Sequence, residues 1–143
     1  WPMSSGLSVT QWCPFTAVPL GMGPLCFGKG SHLKNIGRDV AISDESERII
    51  RDAIKEQGVV ESFEPYEKGE VSYHYGWTLH RAGGNTTDQP RRVFTVIYMD
   101  EEMKLAEPKN QNQKNDWESW TPGTKVGHVM DDALNPVLYS SRG

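Results

Sequence analysis

The sequence has few cysteines, no block of basic residues and no long apolar run. Its two cysteines, Cys13 and Cys26, make no disulfide framework, so we expect free thiols and a cytoplasmic location. A formal net charge of −4 without clustered Lys or Arg argues against nucleic acid as the main partner. No apolar run is long enough to cross a bilayer, so we expect no membrane partner.

The composition is that of a globular protein. A length of 143 residues, with 36% hydrophobic and 24% charged residues, predicts a single domain over residues 1–143 with one core. Short runs of β-branched and aromatic residues alternate with glycine and proline and predict strands. These runs cover residues 7–18, 25–27, 59–63, 70–77 and 92–99. The pattern predicts a mainly all-β protein, either a barrel or a double-sheet roll.

One helix is predicted near residues 45–57. Asp44 and Glu47 have the spacing of a capping box, and Gly58 supplies the stop. A predicted apolar face of this helix, expected to join the core, consists of Ile49, Ile50, Ala53 and Ile54. Residues 101–143 are predicted to be a mostly irregular tail. The side chains expected to anchor the tail are Trp117, Trp120, Leu138 and Tyr139.

The chemistry of the sequence is concentrated in residues 69–100, where His80 is followed by a Gly-Gly-Asn turn and by Arg91. A neutral histidine binds metals, and an arginine suits a carboxylate, but both residue types are more often simple strand-end residues. His74 shares a face with His80 only if the strand between them is unbroken, and Gly76 makes a bend an open alternative.

Alternation places Arg91 on the face of the last predicted strand that also carries Val93, Thr95 and Ile97. A buried arginine needs an anionic partner, and no acidic residue of this strand lies on that face. The pattern therefore favours a carboxylate from an external ligand as the partner of Arg91.

The sequence resembles the phytanoyl-CoA dioxygenase family of Fe(II)- and 2-oxoglutarate-dependent oxygenases. Four segments carry the resemblance and together cover nearly the whole chain. They are Gly23-Pro24-Leu25 with Gly30-Ser31-His32, residues 69–80 up to His80, Asn85 with Arg91, and Pro122-Gly123 with Leu134-Asn135-Pro136-Val137-Leu138-Tyr139. The spacing from His80 to Arg91 is the most specific element.

This resemblance implies a double-stranded β-helix, a jelly roll of the cupin-like kind. It also implies Fe(II), 2-oxoglutarate as co-substrate and O2, with iron held by a His-x-Asp pair and a later histidine. His80 matches the later iron ligand, Arg91 the residue that binds the far carboxylate of 2-oxoglutarate, and Trp12 an aromatic that lines the co-substrate pocket. His74 and Asn85 match residues beside the site that contact the ligands or the substrate.

The chain departs from the family pattern at several positions. Lys29 replaces a proline, Glu70 an aspartate, and Ala82 the serine that often follows the distal histidine. The sequence contains no His-x-Asp or His-x-Glu; in the family this pair lies just before a segment like Trp1-Pro2. We therefore expect the C-terminal portion of a longer protein, a roll incomplete at its N-terminus and inactive as it stands.

For the parent protein the resemblance implies hydroxylation of a small-molecule or acyl-CoA substrate. Three alternatives remain open on the residues alone. One is a β-roll binding module that has lost catalysis, and a second is a cupin-type metalloenzyme that does not use 2-oxoglutarate. A structural β-domain, in which His80 and Arg91 are ordinary strand-end residues, is a third.

Overall fold

The architecture is mainly β, as predicted. A computed structural model describes residues 1–38, 40 and 43–142, which contain six strands and two helices. The strands are β1 (Ser8–Pro14), β2 (Leu25–Gly28), β3 (Glu61–Phe63), β4 (Ser72–Tyr75), β5 (His80–Ala82) and β6 (Val93–Met99). The helices are α1 (Asp44–Glu56) and α2 (Gln111–Trp120). Neither helix of the described residues has the length and apolar content that a membrane crossing requires.

The strands form two three-stranded sheets, in the orders β4-β1-β6 and β3-β2-β5. In the first sheet β1 is antiparallel to β4 and pairs Thr10 with His74. In the second sheet β2 is antiparallel to both neighbours, and Phe27 pairs with Ser62 on one side and His80 on the other. Consecutive strands lie in different sheets except for β2 and β3, so the chain crosses repeatedly from sheet to sheet.

The chain divides into two compact units, residues 9–98 and residues 1–8 with those from 99 onward. Each unit has its own hydrophobic cluster. In residues 9–98 the buried members are Trp12, Val18, Met22, Leu25 and Tyr66, with Phe27 packed against them. In the other unit they are Met103, Leu105 and Met130, and the half-buried side chains around them are Trp1, Met3, Met99 and Trp117. Burial of each large apolar side chain contributes about 1.5–3 kcal/mol.

Helix α1 confirms the predicted helix, but its cap differs from the prediction. Ser43 is the N-cap; its hydroxyl accepts from the Ser46 amide at 3.1 Å, and the Ser46 hydroxyl accepts from the Ser43 amide at 2.9 Å. Glu47 instead pairs with Arg51 on the exposed surface. The predicted apolar face is only partly buried, since Ile49 is 41% exposed. Serine is as good a cap as aspartate, which explains the shift of one residue.

The first predicted strand is shorter than expected, because β1 ends at Pro14 and Val18 makes only an isolated bridge to Tyr66. Strand β5 was not predicted, since three residues carry no readable alternation.

The tail contains one helix that was not predicted, and two of its predicted anchors are exposed. It contains α2, capped by Asn110, whose side-chain oxygen accepts from the Gln113 amide at 3.0 Å. Trp117 packs on the cluster as an anchor, but Leu138 and Tyr139 are 74% and 80% exposed and do not anchor the segment.

Gly23 allows the close approach of two backbone segments before β2 and after β5. Its φ is +70°, and a Cβ at this position would overlap the carbonyl of Gly83. Gly30 has the same φ but open space around it.

We expect Gly23→Ala to destabilise the fold by more than the roughly 1–2 kcal/mol of left-handed strain, whereas Gly30→Ala costs that strain alone. Chemical denaturation of both variants measures their free energies of unfolding. Equal decreases in the two variants would show that the Gly23–Gly83 contact can accommodate a Cβ atom.

Candidate functional site

Two histidines from different sheets face each other within residues 9–98. His74 lies on β4, His80 begins β5, and the centroids of their rings are 4.4 Å apart. Phe27 on β2 packs beside both, with its ring 5.2 Å from His74 and 6.5 Å from His80. No single strand contains both histidines, because β4 ends at Tyr75 and β5 begins at His80. The alternative of a break near Gly76 is the one observed. The crossing between sheets, and not a shared strand face, brings the two rings together.

His74 is buried without a partner. Its side chain is 8% exposed, and neither ring nitrogen has a hydrogen-bond partner within the described residues. Burial, and secondarily the nearby His80, lowers the pKa of His74 to about 4. The ring is therefore neutral near pH 7, with one donor and one acceptor available to a ligand.

His80 is held in a form suited to metal binding. Its Nδ1 lies 2.9 Å from the carbonyl oxygen of Thr78. A carbonyl oxygen only accepts, so Nδ1 carries the proton and the neutral ring keeps the lone pair on Nε2. A backbone carbonyl on the other nitrogen is the usual way in which a metal-binding imidazole is oriented.

Ser31 fixes the backbone just before His80. Its hydroxyl, on a side chain that is 1% exposed, accepts from the Leu79 amide at 2.8 Å, and the Leu79 carbonyl accepts from the Gly28 amide at 2.8 Å. In the sequence, Ser31 stands out only as part of a turn motif. A serine between a glycine turn and a histidine gave no signal that its partner lies 48 residues away.

Arg91 lies two residues before β6 and is partly buried. Its Nη1 donates to the carbonyl oxygens of Met22 at 3.1 Å and Gly83 at 3.4 Å, and also to that of Gly23. Within the described residues no carboxylate lies within 4 Å of Arg91, and its Nε and Nη2 make no hydrogen bond. The guanidinium is thus anchored on one side and keeps two donors for another group.

The contacts of Trp12 and Asn85 are with other parts of the protein and support its fold. Trp12 is 7% exposed and packs on Tyr66, with ring centroids 4.8 Å apart. Asn85 is exposed; its amide donates to the Gln89 carbonyl at 2.7 Å, and its side-chain oxygen accepts from the Thr87 amide at 3.0 Å. Asn85 therefore shapes the turn that leads to Arg91. The predicted ligand contacts of Trp12 and Asn85 stay predictions.

The described residues fit part of a metal centre. His80 offers one correctly protonated ligand, but no three His, Cys, Asp or Glu side chains among these residues are grouped to hold a metal ion. Cys13 and Cys26 carry free thiols, and burial raises the pKa of Cys26.

The sequence profile of the phytanoyl-CoA dioxygenase family matches residues 1–93. The chain belongs to this family. No curated protein matches the chain as a close relative.

Solved structures share the fold of this family member. The non-heme alpha ketoglutarate dependent carbocyclase SnoK from nogalamycin biosynthesis superposes with a TM-score of 0.72 at 24% identity, over 94% of this chain and 50% of that one. The epimerase SnoN in complex with Fe3+, alpha ketoglutarate and nogalamycin RO gives 0.72 at 25% identity, over 94% and 52%. EvdO2 from Micromonospora carbonacea var. aurantiaca, complexed with 2-oxoglutarate, gives 0.53 at 22%, over 73% and 42%. The chain thus spans about half the length of these proteins.

We expect Ser31→Ala to leave the Leu79 amide without a partner and to lower the free energy of unfolding by about 1–3 kcal/mol. Ser62→Ala is the matched control, because the Ser62 hydroxyl makes no hydrogen bond within the described part of the chain. Urea denaturation of both variants measures the difference. Equal stabilities would mean that Ser31 does not secure β5.

The pKa of His74 also predicts a pH dependence of stability. Between about pH 6.5 and 4 the unfolded chain binds a proton that the folded chain does not, so the contribution of His74 is fully present above pH 6.5 and is lost as the pH falls through this range. The loss amounts to about 3 kcal/mol.

We expect His74→Phe to remove this slope from unfolding free energies measured at pH 7, 6, 5 and 4, whereas the exposed control His128→Gln retains it. Parallel pH profiles for wild type and His74→Phe would show that His74 is accessible to protons in the folded state.

Proposed function

We propose that this chain forms the part of an Fe(II)- and 2-oxoglutarate-dependent oxygenase that carries the distal iron histidine and the co-substrate arginine, and that the whole enzyme hydroxylates an organic substrate. One observation carries the proposal. Arg91 is anchored through Nη1 to backbone carbonyls just before β2 and just after β5, while its remaining donors meet no carboxylate within the described residues. Strand β5, which Gly83 follows directly, begins at His80.

The proposed fold is a double-stranded β-helix. A jelly roll has eight strands in two sheets, and the described residues supply six, which cross between the sheets at every step except from β2 to β3. Strands β5 and β6 both lie at edges of their sheets, where further strands could pair with them. Two strands outside this chain would complete the roll.

His80 would hold iron through Nε2, and a His-x-Asp pair outside this chain would complete the ligand set. When bound, iron and 2-oxoglutarate supply oxygen activation, with release of succinate and CO2. The residues of this chain then orient and enclose the reactants. The Thr78 carbonyl and the Ser31 hydroxyl keep the His80 ring and backbone in place before any ligand arrives.

Arg91 would bind the far carboxylate of 2-oxoglutarate through Nε and Nη2, the pair of donors that suits a bidentate contact. Gly83, whose carbonyl touches Arg91, lies three residues after His80, about 10 Å along an extended strand. A metal ion and a five-carbon dicarboxylate in sequence can bridge such a span. Trp12 would form a wall of this pocket, and Asn85 would hold the turn that positions Arg91.

His74 would act as a neutral neighbour of the bound ligands. A cation at this position would repel an adjacent metal ion, and burial keeps the ring uncharged. Its two unpaired nitrogens can each meet a polar atom of a ligand or of the substrate.

A binding module without catalysis is the second candidate. It is favoured by the lack, within the described residues, of three grouped side chains that could hold a metal. The alternative of a cupin-type metalloenzyme that does not use 2-oxoglutarate gives no role to the free donors of Arg91.

The test is succinate release from 2-oxoglutarate with Fe(II) and O2, in a form of the protein that carries the upstream His-x-Asp pair. We expect Arg91→Ala to raise the apparent KM for 2-oxoglutarate about 10- to 100-fold, the loss of one bidentate charged contact. Arg92→Ala is the matched control, because its neighbouring guanidinium is exposed and makes no hydrogen bond within the described residues.

Circular dichroism should show that both variants keep the fold. An unchanged co-substrate KM in Arg91→Ala removes Arg91 from this role. No succinate from the wild-type protein under any of these conditions, despite bound iron, would favour the binding module.

A further inference from the structure

A cavity of about 380 Å³ lies beside β2 and β3, within residues 9–98. We call it the β2–β3 cavity. Its apolar lining includes Leu25 and Phe27 of β2 together with Tyr66 and Val71, and its polar lining includes Glu64 and Glu70. A volume of this order suits a small molecule, and mixed apolar and polar walls are typical of binding pockets.

Two lining residues of the cavity, Leu25 and Tyr66, belong to the hydrophobic cluster and are 7% and 9% exposed. Phe27 links the cavity to the candidate site, since it lines the cavity and packs against both His74 and His80. Strand β5 lies next to β2, about 4.8 Å away. A molecule in the cavity would therefore share Phe27 with the candidate site.

The charge of the cavity selects against anions. Glu64 and Glu70 line it, and no Lys, Arg or His is among the lining residues that the structure describes. The Glu67 amide donates to Glu70 Oε2 at 2.7 Å and so fixes that carboxylate at the wall. Glu61, by contrast, is paired with Arg81 at 2.9 Å and lies outside the lining.

We propose that the β2–β3 cavity is the substrate compartment and that it takes a small apolar molecule bearing a protonated amine. The apolar body would lie on Leu25, Phe27 and Tyr66, and the ammonium group would face Glu64 and Glu70. A polyanionic acyl-CoA would meet two carboxylates and no cation there. The assignment as substrate compartment rests on the proposed function, but the binding chemistry does not.

The test measures binding to the full protein without iron, 2-oxoglutarate or oxygen, so its outcome is independent of the oxygenase proposal. The probes are 4-phenylbutylamine and 4-phenylbutyrate, which match in size and differ in charge. Titrations followed by ¹H–¹⁵N correlation spectra should show shifts of the Ser62, Phe63, Tyr66 and Val71 amides with the amine. We expect a dissociation constant of about 1 mM for a ligand of this size, and binding of the carboxylate weaker by about threefold or more.

Glu64→Gln combined with Glu70→Gln should abolish the preference for the amine and leave the apolar contacts in place. Glu67→Gln is the matched control, an exposed glutamate in the same loop that does not line the cavity, and should keep the preference. In the unaltered chain, raising NaCl from about 0.02 to 0.5 M should narrow the difference between the probes, because exposed charges are screened.

Three results would each overturn the proposal. They are an absence of shifts at the cavity amides with the amine, equal binding of amine and carboxylate at low salt, and a preference that survives the double substitution.

Discussion

The candidate site depends on the attachment of a three-residue strand, β5, to its neighbour β2. Three residues supply few ladder bonds, so the contacts at either end decide whether β5 stays in place. The Ser31 hydroxyl and the Gly28 amide hold Leu79, just before the strand, at 2.8 Å each. In the middle, Arg81 reaches across β2 to Glu61 on β3 at 2.9 Å. The position of His80 follows from these contacts.

The far end of β5 determines the position of Arg91 in the same way. Gly83 follows the strand directly and lies against Gly23, which has no side chain to hold the two backbones apart. That approach gathers the carbonyls of Met22, Gly23 and Gly83 around one guanidinium nitrogen. A side chain as long as arginine loses much rotamer freedom when it binds a ligand. Anchoring Nη1 beforehand reduces that entropic loss.

Sequence patterns predicted what is periodic and missed what is short or polar. Helix α1 has an apolar stripe and stop signals, and it was found to within one residue at each end. Helix α2 consists of Gln, Asn, Lys, Asp, Glu, Ser and two tryptophans, without a stripe, and its Asn110 cap was the one local signal. No break in composition marks the division of the chain into two units with separate clusters, so the sequence did not predict this division.

The site residues show the same limit in another form. His80 and Arg91 are predicted as site residues from residue type, spacing and family resemblance, all of which are properties of a sequence. Their partners are a backbone carbonyl, a distant serine hydroxyl and three further carbonyls, which no side-chain pattern records. On the residues alone, His74 is a neighbour of His80 only if one strand is unbroken, yet it faces His80 from the other sheet.

The stability of the fold does not explain why a histidine is buried at position 74. A buried imidazole with two unpaired nitrogens costs about 1–3 kcal/mol for each unsatisfied group, and a phenylalanine beside Phe27 would avoid that cost. Polar groups that a fold leaves unsatisfied in its interior concentrate at functional sites, where a ligand supplies the missing partner. His74 lies against His80, whose Nδ1 is held by the Thr78 carbonyl and whose Nε2 is left for a ligand. The imidazole that weakens the fold is thus placed where a bound ligand would satisfy it.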